Sequence, residues 1–221
     1  SYHNYRDCNV QNFALAAQAL AERGIYVIRM GSKVRQPFRV SHPRIVDYAT
    51  NGMRNDFLDV YLGATCRFCI STGTGWDEIP VIFRRPVVDV NLCPIGYMKS
   101  FSSCNLAIPK RLVWKHNGKS LSFREVLSFD LGFALLTRTY EEKGVLIFEN
   151  TPSEIRDVAI EMAERISNVW RTEEEDIELQ AAFWRLFPSN AVDPVNGAPL
   201  HGAIRARIGA KFLREHREWL H

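Results

Sequence analysis

Thr65-Cys66-Arg67-Phe68-Cys69-Ile70-Ser71-Thr72-Gly73-Thr74-Gly75-Trp76-Asp77-Glu78, then Pro86-Val87-Val88-Asp89-Val90-Asn91, is the stretch on which the fold turns. Residues 67–71 read as a short apolar strand running into a glycine-bearing turn. A helix over 77–83 follows, with Pro80 tolerable in its first turn. Residues 86–91 are a second apolar strand. A strand, a helical return and another strand is a parallel pairing, because parallel neighbours need a crossover between them.

Upstream, an Ala- and Leu-rich helix over 13–23 stops at Gly24. A buried strand over 25–30 is closed by Gly31-Ser32. A loop with Pro37 and Pro43 leads to a helical stretch around 45–49. Asn55 or Asp56 then caps a helix through Phe57, Leu58, Tyr61 and Leu62 that ends at Gly63.

Downstream, residues 92–118 read as a long loop with a short extended piece. Ser122-Phe123-Arg124-Glu125 is a capping box for a helix to about 129. A strand is expected over 145–148. Thr151-Pro152-Ser153-Glu154 is a second capping box, and Ile155, Val158, Ala159, Met162, Ala163 and Ile166 form a 3.6-residue stripe behind it. Glu173-Glu174-Glu175-Asp176 suits the first turn of a helix reaching 187. A loop over 188–199 and a basic amphipathic helix over 203–219 complete the chain. The expected fold class is α/β: a Rossmann-like parallel sheet over 1–170 with helices on both faces, and a helical extension over 171–221 packing on it.

The 221 residues are 46% hydrophobic and 24% charged, ordinary values for a globular chain that needs no disulfide or metal staple. A net charge of +3 favours neither nucleic acid nor an acidic membrane as partner. No apolar run approaches the ~20 residues of a membrane span, and no signal segment opens the chain, so a cytoplasmic location is expected. The start at Ser1-Tyr2-His3-Asn4-Tyr5-Arg6 reads as the middle of a longer protein.

Cys8, Cys66, Cys69, Cys93 and Cys104 are odd in number and read as free thiols. Cys66 and Cys69 form a CxxC, but on a strand two residues three apart point to opposite faces, and no second pair completes a metal site. The six histidines stand at neither ligand nor triad spacing. No metal and no cofactor is expected.

In parallel α/β sheets, ligands bind outside the carboxyl ends of the strands. Ser71, Thr72, Gly73, Thr74 and Gly75 form the first such end. Glycines there let the backbone approach a diphosphate, and the following helix offers N–H groups and a positive dipole end. Glu78 is placed to accept from ribose hydroxyls. A plain strand-to-helix turn is the alternative. Arg29 and Gly31 close the strand over 25–30. An arginine in an apolar strand needs a partner, either a ligand phosphate or a carboxylate such as Asp47 or Asp59. Asn91 ends the third strand, to orient a ligand or simply to turn the chain. Arg205, Arg207, Lys211, Arg214 and Arg217 give the last helix a basic face, for a peripheral contact with the inner membrane or for solvent and docking.

Many stretches resemble, in order and over nearly the whole chain, a little-characterised family of bacterial glycosyltransferases linked to surface-polysaccharide synthesis. They include Tyr5-Arg6, Tyr26-Val27-Ile28-Arg29-Met30-Gly31, Val46-Asp47-Tyr48-Ala49, Asp56-Phe57-Leu58-Asp59-Val60-Tyr61-Leu62, Ser71-Thr72-Gly73-Thr74-Gly75, Val90-Asn91, Ile108-Pro109-Lys110 and Asn150-Thr151-Pro152. The resemblance implies a GT-B enzyme of two Rossmann-like domains, of which this chain is the C-terminal, nucleotide-sugar-binding half. Its implied partners are a nucleotide-diphosphate sugar, a glycan or lipid-linked acceptor, and the N-terminal domain that usually supplies the acceptor pocket and base. On that likeness Thr72 to Gly75 meet the diphosphate, Glu78 the ribose, and Arg29 the leaving phosphates.

Two other readings stand beside it. One is a sugar-nucleotide epimerase. The other is a non-catalytic domain that binds nucleotide or a partner protein, which internal salt bridges at both Arg29 and Glu78 would favour.

Overall fold

The computed structural model describes residues 3–193 and 196–221. Ser1 and Tyr2, and two positions of the loop expected over 188–199, lie outside the described residues. The elements in chain order are α1 (Ala14–Glu22), β1 (Val27–Ile28), β2 (Ile45–Val46), α2 (Asp56–Thr65), β3 (Cys69–Ser71), α3 (Glu78–Ile82), β4 (Val87–Leu92), β5 (Leu106–Pro109) and β6 (Arg111–Trp114). They continue with α4 (Phe123–Ser128), α5 (Thr137–Glu142), β7 (Val145–Phe148), α6 (Pro152–Ile166), α7 (Glu174–Leu186), β8 (Arg207–Ile208) and α8 (Ala210–Glu215).

The fold is α/β. A four-stranded sheet in the order β3-β4-β5-β8 is parallel throughout, is flanked by helices, and is compatible with a Rossmann-like arrangement. Val87, Val88, Val90, Leu106, Ala107, Ile108 and Ile208 are buried, as strands covered on both faces require. The apolar stripe of α6 (Ile155, Val158, Ala159, Met162) lies against β4, β5 and α1. Both capping boxes form as the sequence indicates: Ser122 with Glu125, and Thr151 with Glu154.

Several expectations are corrected. Residues 45–49 do not form a helix: β2 pairs in parallel with β1 as a separate two-stranded sheet. The strand expected over 25–30 is short and covered on one face only: Ile25 and Val27 pack against the core, while Tyr26 and Ile28 are exposed. The stretch 92–118 contains β5, an interior strand of the main sheet, and β6. Residues 145–148 are a strand, but β7 pairs antiparallel with β6 outside the main sheet.

The continuous helix expected over 203–219 is replaced by β8, α8 and a 3-10 turn. Gln180 on α7 explains β8: its side-chain amide donates to the Ile208 carbonyl at 2.5 Å and accepts from the Ile208 N–H at 3.2 Å. One glutamine thus satisfies the strand's open edge as a neighbouring strand would. The basic face of this segment is largely neutralised. Arg214 pairs with Asp176, Lys211 with Asp157, and Arg217 with Glu175. Among the described residues, no helix is long and apolar enough to cross a membrane.

Candidate functional site

Parallel pairing sets Ser71 of β3 beside Asp89 of β4, and Asp89 beside Ala107 of β5. Beyond Ser71 the chain reverses at Gly73, whose φ of +73° suits a residue without a Cβ. The loop closes on itself. The Ser71 hydroxyl accepts the Gly73 N–H at 3.1 Å and donates to Asp77 Oδ2 at 2.7 Å. Asp77 is fully buried, and its Oδ2 also accepts from Lys99 Nζ at 2.8 Å. Lys99 reaches Glu78 Oε1 at 3.1 Å as well.

One ammonium therefore pins both acids that follow the loop. The Lys99 pKa is raised: burial opposes its charge, but the bond to Asp77 and the nearby Asp89 outweigh that. Thr74 and Gly75 remain exposed, and a Cβ on Gly75 would meet nothing. Residues 75–77 form a 3-10 turn, and α3 has only five residues. The dipole expected of a longer helix is correspondingly small.

Asp89 lies under this lock. Burial pushes its carboxyl up to about 7, against the pull of Lys99. Over the loop stands Arg6, whose guanidinium donates to the Gly73 carbonyl. It belongs to an N-terminal segment that runs across the strand ends. In that segment burial raises the Cys8 thiol, against the pull of the nearby Thr72 side chain.

Asn91 stands at the end of β4, buried, with a φ of +54° that asparagine tolerates better than most residues. It forms a reciprocal pair with Asn150: each backbone N–H donates to the other's side-chain oxygen at 2.6 Å. Asn150 also donates to the Pro109 carbonyl, which ties the ends of β4 and β5 to the residue before the N-cap of α6.

Arg29 and Gly31 lie just beyond β1, whose two-stranded sheet is separate from the main one. Arg29 pairs with Asp47 at 2.9 Å, one of the carboxylates expected as its internal partner. Burial raises the Asp47 pKa, but the Thr50 hydroxyl, the Phe38 N–H and Arg29 more than offset it and hold the carboxyl low. Gly31 makes a close turn, where a Cβ would fall 2.8 Å from Val34 Cγ1.

The structure thus gathers Ser71, Thr72, Gly73, Thr74, Gly75 and Glu78 at one strand end and Asn91 at the next. Arg6, Asp77, Lys99 and Lys110, to which sequence spacing assigned no role, stand among them. Tyr5-Arg6 and Ile108-Pro109-Lys110 are stretches of the family likeness. The lysine at 99 sits in a region without periodicity and gives no such signal.

Cys66 caps α2 rather than lying on the strand, and Cys69 is buried within β3. Burial raises both thiols. Among the described residues, no three His, Cys, Asp or Glu side chains gather to hold a metal ion.

The fold and site define an α/β protein with a cluster of polar side chains at the carboxyl ends of a parallel sheet. Compared with protein-family models, curated proteins and solved structures, the chain matches none.

Proposed function

We propose that residues 71–75 are the diphosphate-contacting edge of a nucleotide-sugar site, and that the chain is the donor-binding half of a GT-B-type glycosyltransferase. The observation that carries this reading is the Ser71–Asp77–Lys99 lock. It holds a glycine turn rigid at the carboxyl end of a parallel strand, with exposed backbone at Thr74 and Gly75 and a guanidinium beside it. A preorganised backbone edge next to a planar cation suits phosphate oxygens.

In the reaction, the bond from the sugar's anomeric carbon to the diphosphate oxygen breaks. A bond to the hydroxyl of a glycan or lipid-linked acceptor forms. The acceptor's proton passes to a base, which the resemblance assigns to the N-terminal half. The diphosphate leaves with added negative charge, and Arg6 stands where it would offset that charge in the transition state. Glu78 is more than half exposed and accepts from the ribose while Lys99 fixes its position. Arg29, matched by Asp47, has no part in this version of the site.

A non-catalytic nucleotide- or partner-binding domain is the second reading. The ion pairs Arg29–Asp47 and Glu78–Lys99 favour it, since both side chains have internal partners.

A thermal-shift screen against UDP, GDP, CDP, dTDP and their sugar conjugates tests the proposal. A ligand of the folded state adds about 2.7 kcal/mol at a hundredfold excess over Kd. One selective diphosphate, lost in Gly73→Val, supports the site; full affinity in that variant moves it elsewhere. Sugar transfer to an acceptor then separates the two readings.

A further inference from the structure

Lys110 follows β5 at the carboxyl end of the sheet and is buried, at 6% exposure. Its ammonium carries three N–H donors, and one donates to the Asp7 carbonyl at 2.6 Å. It forms no ion pair with a described carboxylate. The acids near it favour its charge without pairing with it: the Asp7 carboxylate meets Arg35, and Glu149 accepts from the Asn9 N–H and the Asn12 amide.

The neighbouring thiols give no counter-charge. Burial raises Cys8, and it raises Cys93 to about 11. Burial also lowers the pKa of Lys110 itself. Burial outweighs what the Asp7 and Glu149 carboxylates offset, and an anion in direct contact is the partner that would remove the remaining cost. On the adjacent strand, the Asn91 side-chain N–H₂ is buried and has no hydrogen-bond partner. Its Oδ1 is already used by Asn150, so only donors remain.

We propose that Lys110 and Asn91 form an anion-binding pair at the ends of β5 and β4, and that the anion is a phosphoryl oxygen. Only the choice of phosphate over another anion rests on the nucleotide-sugar reading. The donors themselves are there without it. The covering segment meets the ammonium through the Asp7 backbone carbonyl, which leaves two of its N–H groups for a ligand.

Calorimetric titration with inorganic diphosphate, and separately with UDP and GDP, tests the pair. In Lys110→Met, diphosphate binding should weaken at least tenfold, and Lys110→Arg should restore most of it. Asn91→Asp keeps the acceptor for Asn150 and replaces the free donor with a negative oxygen, so it should weaken binding as well. Should Lys110→Met fail to fold, acylation of Lys110 in the unaltered protein, followed by mass spectrometry, gives a second readout. Diphosphate should protect that amine.

Undiminished diphosphate binding by folded Lys110→Met, absence of protection, or no diphosphate binding at all would overturn the proposal. Nucleotide binding that depends on Gly73 but not on Lys110 would overturn it and leave the nucleotide reading standing. Inorganic diphosphate held by Lys110 without any nucleotide binding would keep the pair and remove that reading.

Discussion

Replacing Asp89 by asparagine changes one ionisable group in the middle of β4 and almost no volume. Asp89 is buried between Ser71 and Ala107, and its carboxyl titrates near 7 rather than 3.8 because burial disfavours the charge. Below pH 4 the group is protonated both folded and unfolded, and its charge costs nothing. From pH 4 to 7 the unfolded chain ionises while the folded one keeps its proton, so stability falls as pH rises. Above 7 the full cost stands, about 4 kcal/mol for a rise of three pH units. At pH 5 it is only about 1.5 kcal/mol by the same relation. The asparagine variant carries no ionisation cost but buries an amide, for about 1–3 kcal/mol at every pH. Asp89→Asn should therefore be about as stable as the parent at pH 5 and about 2 kcal/mol more stable at pH 8. Urea unfolding at half-unit pH steps reads this directly. Parallel stability curves for the two proteins, with no divergence between pH 5 and 8, would refute the reasoning.

Lys99→Met strands the fully buried Asp77 carboxylate, and loss of one partner of a buried pair costs about 3–5 kcal/mol. Chemical denaturation at pH 7.5 checks it, and a change under 1 kcal/mol would show the loop to be held by other contacts. Gln180→Leu leaves the Ile208 N–H and carbonyl without their partner and should cost about 1–3 kcal/mol, with hydrogen exchange fastest at β8. His216 bonds Glu154 at 2.7 Å; that bond raises the histidine pKa, and it lowers the Glu154 pKa despite burial. The pair stabilises the fold between those two folded-state values. The contribution is lost as pH rises through the raised histidine pKa and as it falls through the lowered glutamate pKa. His216→Gln should remove the alkaline fall, and an unchanged pH profile would exclude the pair as its source.

The parts of this fold that the sequence shows are those with local chemistry. Thr151-Pro152-Ser153-Glu154 with its apolar stripe specifies α6 without reference to the rest of the chain. Residues 67–91 carry strand, turn, helix and strand in adjacent positions. β5 was hidden because Leu106-Ala107-Ile108-Pro109 is four residues long among turn formers, and its identity as a strand comes from pairing with β4. β8 was hidden inside a basic helical pattern, since only Gln180, far away in sequence, completes its edge. Ile45-Val46 fits helix or strand locally, and β1 decides it. In the site, the glycine turn was legible. Its lock was not, because Asp77 and Lys99 are 22 positions apart and nothing periodic links them. Arg29 is a conspicuous charge in an apolar run, and the sequence left its partner open between a ligand phosphate and an internal carboxylate; Asp47, one of the two named, is bonded to it.

The most direct test is amide chemical-shift mapping of the isotopically labelled protein, titrated with the nucleoside diphosphate that gives the largest thermal shift. Saturable shifts centred on Gly73, Thr74 and Gly75, with Arg6 and Glu78 following, are the predicted result. Shifts centred on the β1–β2 sheet around Arg29 and Gly31, or none at residues 71–78, would contradict it.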